Sequence, residues 1–326
     1  MQRFAAPAWL PGGHLQTIVP ALWGRRVQGP PPVYRRERWT TPDGDFIDVD
    51  FQDAPAAGAP WLVLFHGLEG SSRSHYAEAF AEVAARRGWH FAVPHFRGCS
   101  GELNLAPRAY HSGDFEEVGW VLARLHERAG QRLHVAGVSL GGNALLRWAG
   151  EAGETAARTV HAVAAVCSPL DLAAGGHAIG RGLNRRLYTP MFLRSMKPKA
   201  LAKWAQHPGL FDRDALLAAR DLYTFDQLFT APLHGFAGTD DYWRRASAKP
   251  GLAGIRVPAL ALNARNDPFV PAASLPAPAE AGRFVTLWQP AHGGHVGFPA
   301  VAVPSRMPLH VQAMPQAVVD WLAHPA

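Results

Sequence analysis

Cysteine is nearly absent from this sequence, with only Cys99 and Cys167 among 326 residues. Two thiols allow one disulfide at most, which excludes the stapled framework of a small secreted domain. No window approaches the ~18 uninterrupted apolar residues of a membrane-spanning helix. The opening stretch from Met1-Gln2-Arg3-Phe4 has no apolar segment leading to a small-residue cleavage site. These absences point to a cytoplasmic protein without a stable membrane span. Charge is sparse too, at 18% against 48% hydrophobic residues, so large-scale disorder is excluded and a sizeable core is available. The formal net charge is +6, yet the arginine pairs Arg25–Arg26, Arg35–Arg36, Arg86–Arg87, Arg185–Arg186 and Arg244–Arg245 never grow into a basic run. With no zinc-finger spacing or RNA-binding signature, no nucleic-acid partner is expected. The basicity reads as a solubilising surface, with mild attraction to anionic head groups or acyl phosphates as the alternative. Sixteen histidines invite a metal, but H-E-x-x-H, Cys–His clusters, G-x-G-x-x-G and phosphate-loop motifs are all missing. No metal and no cofactor are therefore expected. Asp43 and Asp45 read as turn residues, and Cys99 as a small buried side chain. Nothing bears on oligomeric state.

What is present is a rhythm. The first ~35 residues, rich in Pro, Gly and Trp, read as an irregular arm. Arg38–Thr41 and Phe46–Phe51 flank the turn Pro42-Asp43-Gly44-Asp45, a hairpin signal. Short apolar runs then alternate with helical patterns. Trp61–Phe65, Phe91–Pro94, Leu133–Gly137, Val160–Val166, Val257–Asn263 and Arg283–Trp288 read as strands. Ser74–Arg87, capped by Ser74, is expected to be helical, as are Asp114–Arg128 with an Asp114/Glu117 capping box, Leu140–Ala149 and Met314–Leu322. Alternation of this kind predicts an α/β fold, a mostly parallel sheet covered by helices on both faces. About residues 168–256 interrupt it with helical character and no strand, as a cap inserted after strand six would. One domain over 1–326 accommodates all of this. Within the insertion, Leu187, Tyr188, Met191, Phe192, Leu193, Met196 and Trp204 are candidates to line an acyl pocket, and helical core packing explains them as well.

Gly137-Val138-Ser139-Leu140-Gly141 matches G-x-S-x-G at a strand-to-helix junction, where a strained turn presents the serine. The flanking glycines leave room for neighbouring backbone, and the helix N-terminus favours a developing oxyanion. Serine needs a base, and the base an orienting acid, following in chain order. Asp267, in Asn266-Asp267-Pro268 after a strand, is the favoured acid, and Asp171 after the preceding strand is its rival. Two histidines follow the last strand. His295, in the sequence Gly294-His295-Val296-Gly297-Phe298, is the favoured base, and His292 reads as a supporting residue. His66-Gly67-Leu68-Glu69-Gly70 follows the first strong parallel strand. The oxyanion hole is expected from the Leu68 and Leu140 N–H groups, with His66 structural.

Further strings narrow the reading: Gly13-His14-Leu15-Gln16-Thr17, His95-Phe96-Arg97-Gly98-Cys99-Ser100-Gly101-Glu102, Tyr110-His111-Ser112-Gly113, and Ala231-Pro232-Leu233-His234-Gly235-Phe236. With the motifs above, these resemble the YheT-like branch of the α/β-hydrolases, which is similar to the ABHD1/ABHD3-type lipases and the yeast medium-chain ester synthases. The resemblance runs from about residue 9 to 298. It implies esterase or lipase activity on medium-chain acyl esters or phospholipids, with Ser139 as nucleophile, Asp267 as acid and His295 as base. The eukaryotic relatives carry an N-terminal membrane anchor that this sequence does not show, which weakens the expectation of membrane lipids as substrate. Acyl transfer from a thioester to an alcohol is the second enzymatic expectation. A non-catalytic binding module would lack a triad member or an oxyanion glycine, and none is missing.

Overall fold

The computed structural model describes residues 4–300 and 309–325. Eight strands form one sheet in the order β1-β2-β4-β3-β5-β6-β7-β8. They are β1 (Arg35–Thr40), β2 (Phe46–Gln52), β3 (Trp61–Phe65), β4 (His90–Pro94), β5 (Leu133–Val138), β6 (Val160–Val166), β7 (Ala259–Leu262) and β8 (Val285–Trp288). β2 pairs antiparallel with β1 and β4, and every other pairing is parallel. The hairpin turns where Asp-Gly placed it, with Gly44 at φ 77°.

The parallel strands are apolar along their whole length because helices cover both faces. Alternate residues of β3 show the division. Trp61, Val63 and Phe65 enter one core with α3 (Phe115–Ala129) and α4 (Leu140–Ala152). Leu62 and Leu64 enter the other with α2 (His75–Arg86) and the C-terminal helix Ala313–Ala323. Each fully buried Leu or Phe contributes about 1.5–3 kcal/mol to such a core, so a one-residue register slip in β3 would be prohibitive.

Three local expectations are corrected. The Asp114/Glu117 capping box does not form, because both carboxylates are taken by arginines: Arg108 Nη2 reaches Asp114 at 2.5 Å and Arg97 Nε reaches Glu117 at 2.6 Å. An ion pair with a guanidinium outcompetes a carboxylate bond to a neutral backbone N–H. Ser74 precedes α2, but its hydroxyl accepts the Ser71 N–H (3.0 Å) instead of capping the helix. Asp45 is also more than a turn residue. It is buried, accepts N–H groups from Phe46, Leu105 and Ala106, and takes Arg97 at 2.8 Å.

The larger correction lies at the start of the chain. Residues Gly12–Trp23, expected to be irregular, form helix α1 with Pro20 inside it. Pro20 and the paired glycines argue against a helix, and tertiary contacts of Gln16 and Thr17 with Asn266, Gly293 and His295 override them. Between β6 and β7 the described residues contain helices and no strand. After a single turn before β6, α5 (Ala156–Thr159), come α6 (Leu172–Ile179), α7 (Gly182–Leu187), α8 (Thr189–Gln206) and shorter helices up to Ala246.

Candidate active site

Ser139 closes β5 and opens α4 at φ 53°, ψ −120°, a strained conformation for a residue with a side chain. The flanking glycines are there for space. A Cβ on Gly137 would sit 2.6 Å from the Gly141 carbonyl oxygen, and one on Gly141 would sit 2.5 Å from the carbonyl oxygens of Phe65 and His66. The elbow is thus wedged against the end of β3.

The structure brings the three expected residues together. His295 Nε2 lies 3.1 Å from Ser139 Oγ, and His295 Nδ1 lies 2.9 Å from Asp267 Oδ2. A carboxylate only accepts, so Nδ1 carries the proton and Nε2 offers its lone pair to the serine hydroxyl. Asp267 is buried, and its other oxygen accepts the N–H groups of Phe269 (2.8 Å) and Val270 (3.3 Å). The Phe269 ring packs on the imidazole with centroids 4.3 Å apart. The rivals are engaged elsewhere. Asp171 caps α6 by accepting the Ala174 N–H at 3.0 Å, and His292 is exposed rather than supporting the base.

The residues expected to supply the oxyanion donors share a cavity with the nucleophile. Leu68 and Leu140 line the same cavity as Ser139, and neither N–H has a hydrogen-bond acceptor among the described residues. The Gly67 backbone packs so close that a Cβ there would lie 3.2 Å from Ser139 Cβ. Tyr76 and Tyr110 pin this loop, their hydroxyls accepting the Gly67 (2.8 Å) and Glu69 (2.9 Å) N–H groups. His66 is structural: its Nδ1–H donates to Gly67 O at 2.8 Å and its Nε2 accepts the Phe96 N–H at 3.1 Å. Burial pushes its pKa down to about 3, so it stays neutral.

Three residues that sequence reasoning did not assign hold the base. Gln16 Oε1, on α1, accepts from Asn266 Nδ2 (2.8 Å) and from the Gly293 N–H (3.0 Å). Thr17 Oγ1 accepts the His295 N–H at 2.8 Å. Pro20 has no N–H to offer the Gln16 carbonyl, and Gly297 packs there instead, where a Cβ would lie 1.7 Å from that oxygen. From below, Cys167 Sγ accepts the Val296 N–H (3.2 Å) and its S–H faces Gly294 O at 3.6 Å. Cys167 itself stands at φ 50° and Val296 at φ 62°, so the loop is held in a strained shape. Burial keeps the Cys167 thiol protonated, its pKa well above the ordinary value. The Gly13–Thr17 string was the available signal, although nothing local in it says what it touches.

Beside the triad opens a mostly apolar cleft with about 1220 Å³ of unfilled space, its open mouth included. Of the seven insertion residues expected to line a pocket, Phe192 and Met196 do. Leu187 and Met191 are exposed, while Leu193 is buried in a core of the insertion. Ile179, Leu222, Phe225 and Phe229 add to the wall, on short helices whose orientation periodicity cannot give. Asp226 stands in this wall on a π-helical turn, receiving Thr230 Oγ1–H at 2.6 Å and Trp243 Nε1–H at 2.9 Å; burial pushes its pKa up to about 6. Cys99 is buried, and burial raises its thiol to about 11, which removes it as a nucleophile.

Known proteins agree with this architecture. The family profile described as alpha/beta hydrolase fold matches residues 60–299. YheT of Escherichia coli (strain K12), named as an esterase, is 39% identical over 95% of this chain and 89% of its own length. This chain is an α/β-hydrolase of the YheT-like branch. The phospholipase ABHD3 of Mus musculus is 30% identical over 87% of the hydrolase and 73% of its own length. In fold, the hydrolase is similar to the Pyrococcus furiosus esterase Pf2001, at a TM-score of 0.55 and 16% identity, covering 93% of this chain and 96% of that one. The hydrolase is thus an enzyme of the esterase and lipase kind. No helix among its described residues is long and apolar enough to cross a membrane.

Proposed function

We propose that this chain is a serine esterase that cleaves short- to medium-chain carboxylic esters through an acyl-enzyme. The observation that carries the reading is the relay itself, with His295 Nε2 at 3.1 Å from Ser139 Oγ and Nδ1 at 2.9 Å from Asp267. Ser139 Oγ attacks the ester carbonyl carbon while its proton passes to His295 Nε2. Asp267 holds the ring in place and stabilises the imidazolium. The Leu68 and Leu140 N–H groups meet the negative charge that develops on the carbonyl oxygen. Collapse breaks the ester bond, the departing alcohol takes the proton from His295, and the acyl group stays on Ser139. Water then attacks, giving a proton to His295, and the acid leaves as Ser139 recovers its own.

The apolar wall of the cleft supports an acyl chain as occupant, and the names of the relatives support an ester. We read residues 1–326 as one domain, with 168–256 as a helical cap over the cleft. A cytoplasmic location belongs to the same reading, supported by two free thiols. The test is hydrolysis of p-nitrophenyl esters from two to sixteen carbons, wild type beside Ser139→Ala. The reading expects an optimum at short to medium chains that disappears in the variant. Equal turnover in both proteins would refute it, and ester product formed from added alcohol in preference to free acid would move the assignment to acyl transfer.

A further inference from the structure

The excess positive charge of this chain has an address. Residues 172–211 contain seven lysines and arginines and no acidic residue, which leaves 25 basic against 26 acidic residues elsewhere. Within this stretch the lysines are engaged. Lys199 pairs with Glu69 at 2.9 Å, Lys197 donates to the Leu217 and Ala219 carbonyls, and Lys203 donates to those of Asn104 and Ala106. The four arginines are not. Arg181, Arg185, Arg186 and Arg194 are exposed, and none has a carboxylate partner among the described residues.

Between them stand Leu183, Leu187 and Met191, all 43–53% exposed. Beside them lies α1, joined to the α7–α8 junction by His14 Nδ1 and the Tyr188 hydroxyl (3.1 Å) and by Ile18 packing against the Tyr188 cluster. It adds Leu15, which is 41% exposed. Large apolar side chains interleaved with unpaired guanidiniums fit one partner chemistry best: a bilayer surface with anionic head groups, where the apolar groups insert and the arginines meet phosphate. A nucleic acid would use the arginines and have no use for the leucines.

We propose that α7 and the start of α8, with α1 alongside, form a docking surface for anionic lipid. Ile179 and Phe192, on the helices flanking α7, line the cleft beside Ser139, so docking sets the wall of the cleft at the lipid boundary. The proposal does not depend on the esterase reading. Loss of hydrolysis with retained docking refutes that reading alone, and loss of docking with retained hydrolysis refutes this one.

The test is co-sedimentation of the full Ser139→Ala chain with vesicles of phosphatidylglycerol and phosphatidylcholine in equal parts, against pure phosphatidylcholine. Binding to the anionic vesicles alone, weakening with salt, is expected. Arg185→Glu with Arg186→Glu should weaken it by about tenfold or more, and so should Leu183→Ser with Leu187→Ser. In the Ser139-containing protein, both pairs should leave hydrolysis of a water-soluble short-chain ester and the unfolding temperature unchanged. Equal binding to neutral vesicles, no vesicle binding, or duplex DNA binding that needs the arginines but not the leucines would each overturn the proposal.

Discussion

The two halves of the site are built in different ways. The nucleophile half is local: Ser139, both glycines and the Leu140 N–H lie within five consecutive residues, wedged against β3. The base half is assembled from distant pieces. His295 is seated by Thr17 and positioned through Gln16, Asn266 and Cys167, partners as far as 278 residues away in sequence. The nucleophile's strain is therefore held by the sheet, whereas the base depends on the docking of one short helix. Damage to the first half should cost chemistry or folding outright. Damage to the second should cost turnover in steps.

The largest effect expected is at the nucleophile. Ser139→Ala should lower kcat by about 10⁴–10⁶ with no change in unfolding temperature. Residual activity near wild type would remove Ser139 from the chemistry. Next come paired glycine substitutions that separate the halves. Gly141→Ala forces a Cβ to 2.5 Å from the Phe65 and His66 carbonyl oxygens at the end of β3 and should destabilise the whole fold, while Gly297→Ala forces one to 1.7 Å from Gln16 O and should unseat His295. Thermal unfolding read beside kcat should show Gly141→Ala dominated by lost stability and Gly297→Ala by lost turnover. The reverse pattern would break the comparison.

Smaller effects belong to the supports. Thr17→Ala leaves the His295 N–H without its acceptor, a loss of about 1–3 kcal/mol, and should lower kcat about tenfold at unchanged KM. Thr17→Ser keeps the oxygen and should restore turnover. Cys167→Ala should act in the same direction, with Cys167→Ser recovering most of the loss. Failure of either serine variant to rescue would mean that volume, not the hydrogen bond, seats the loop.

The last effect falls on stability, not on turnover, and is shared by both halves. His66 beneath the nucleophile and His75 near the base loop are held neutral by burial, their pKa values depressed to about 3 and about 4 from 6.5. In the unfolded chain they protonate near 6.5, so the stability tied to their neutral forms is present above that pH and is lost as pH falls toward 4, at about 1.4 kcal/mol per unit and group. Unfolding temperature should decline steadily from pH 7 to pH 4, and a flat profile would contradict these shifts.

The same contrast explains what could be read from the residues. The strands, the elbow and the order of serine, acid and base are carried by local patterns: apolar runs of one length, two glycines around a serine, a histidine after the last strand. The acid and base were therefore separable from Asp171 and His292 once geometry was known, and were favoured before it. Helix α1 was not legible, because Pro20 and paired glycines argue against a helix, and its reason for forming lies against Asn266 and Gly297. The cleft wall failed for a related cause. Periodicity along Leu187–Trp204 says which residues share a face, but not which face the neighbouring short helices leave open.

The most direct measurement is the rate at which diethyl p-nitrophenyl phosphate phosphorylates the enzyme, with the adduct mapped by mass spectrometry. The account predicts a single adduct on Ser139, a rate that collapses in His295→Ala, and a rate reduced about tenfold in Thr17→Ala. An adduct on another residue, or an undiminished rate without His295, would contradict it.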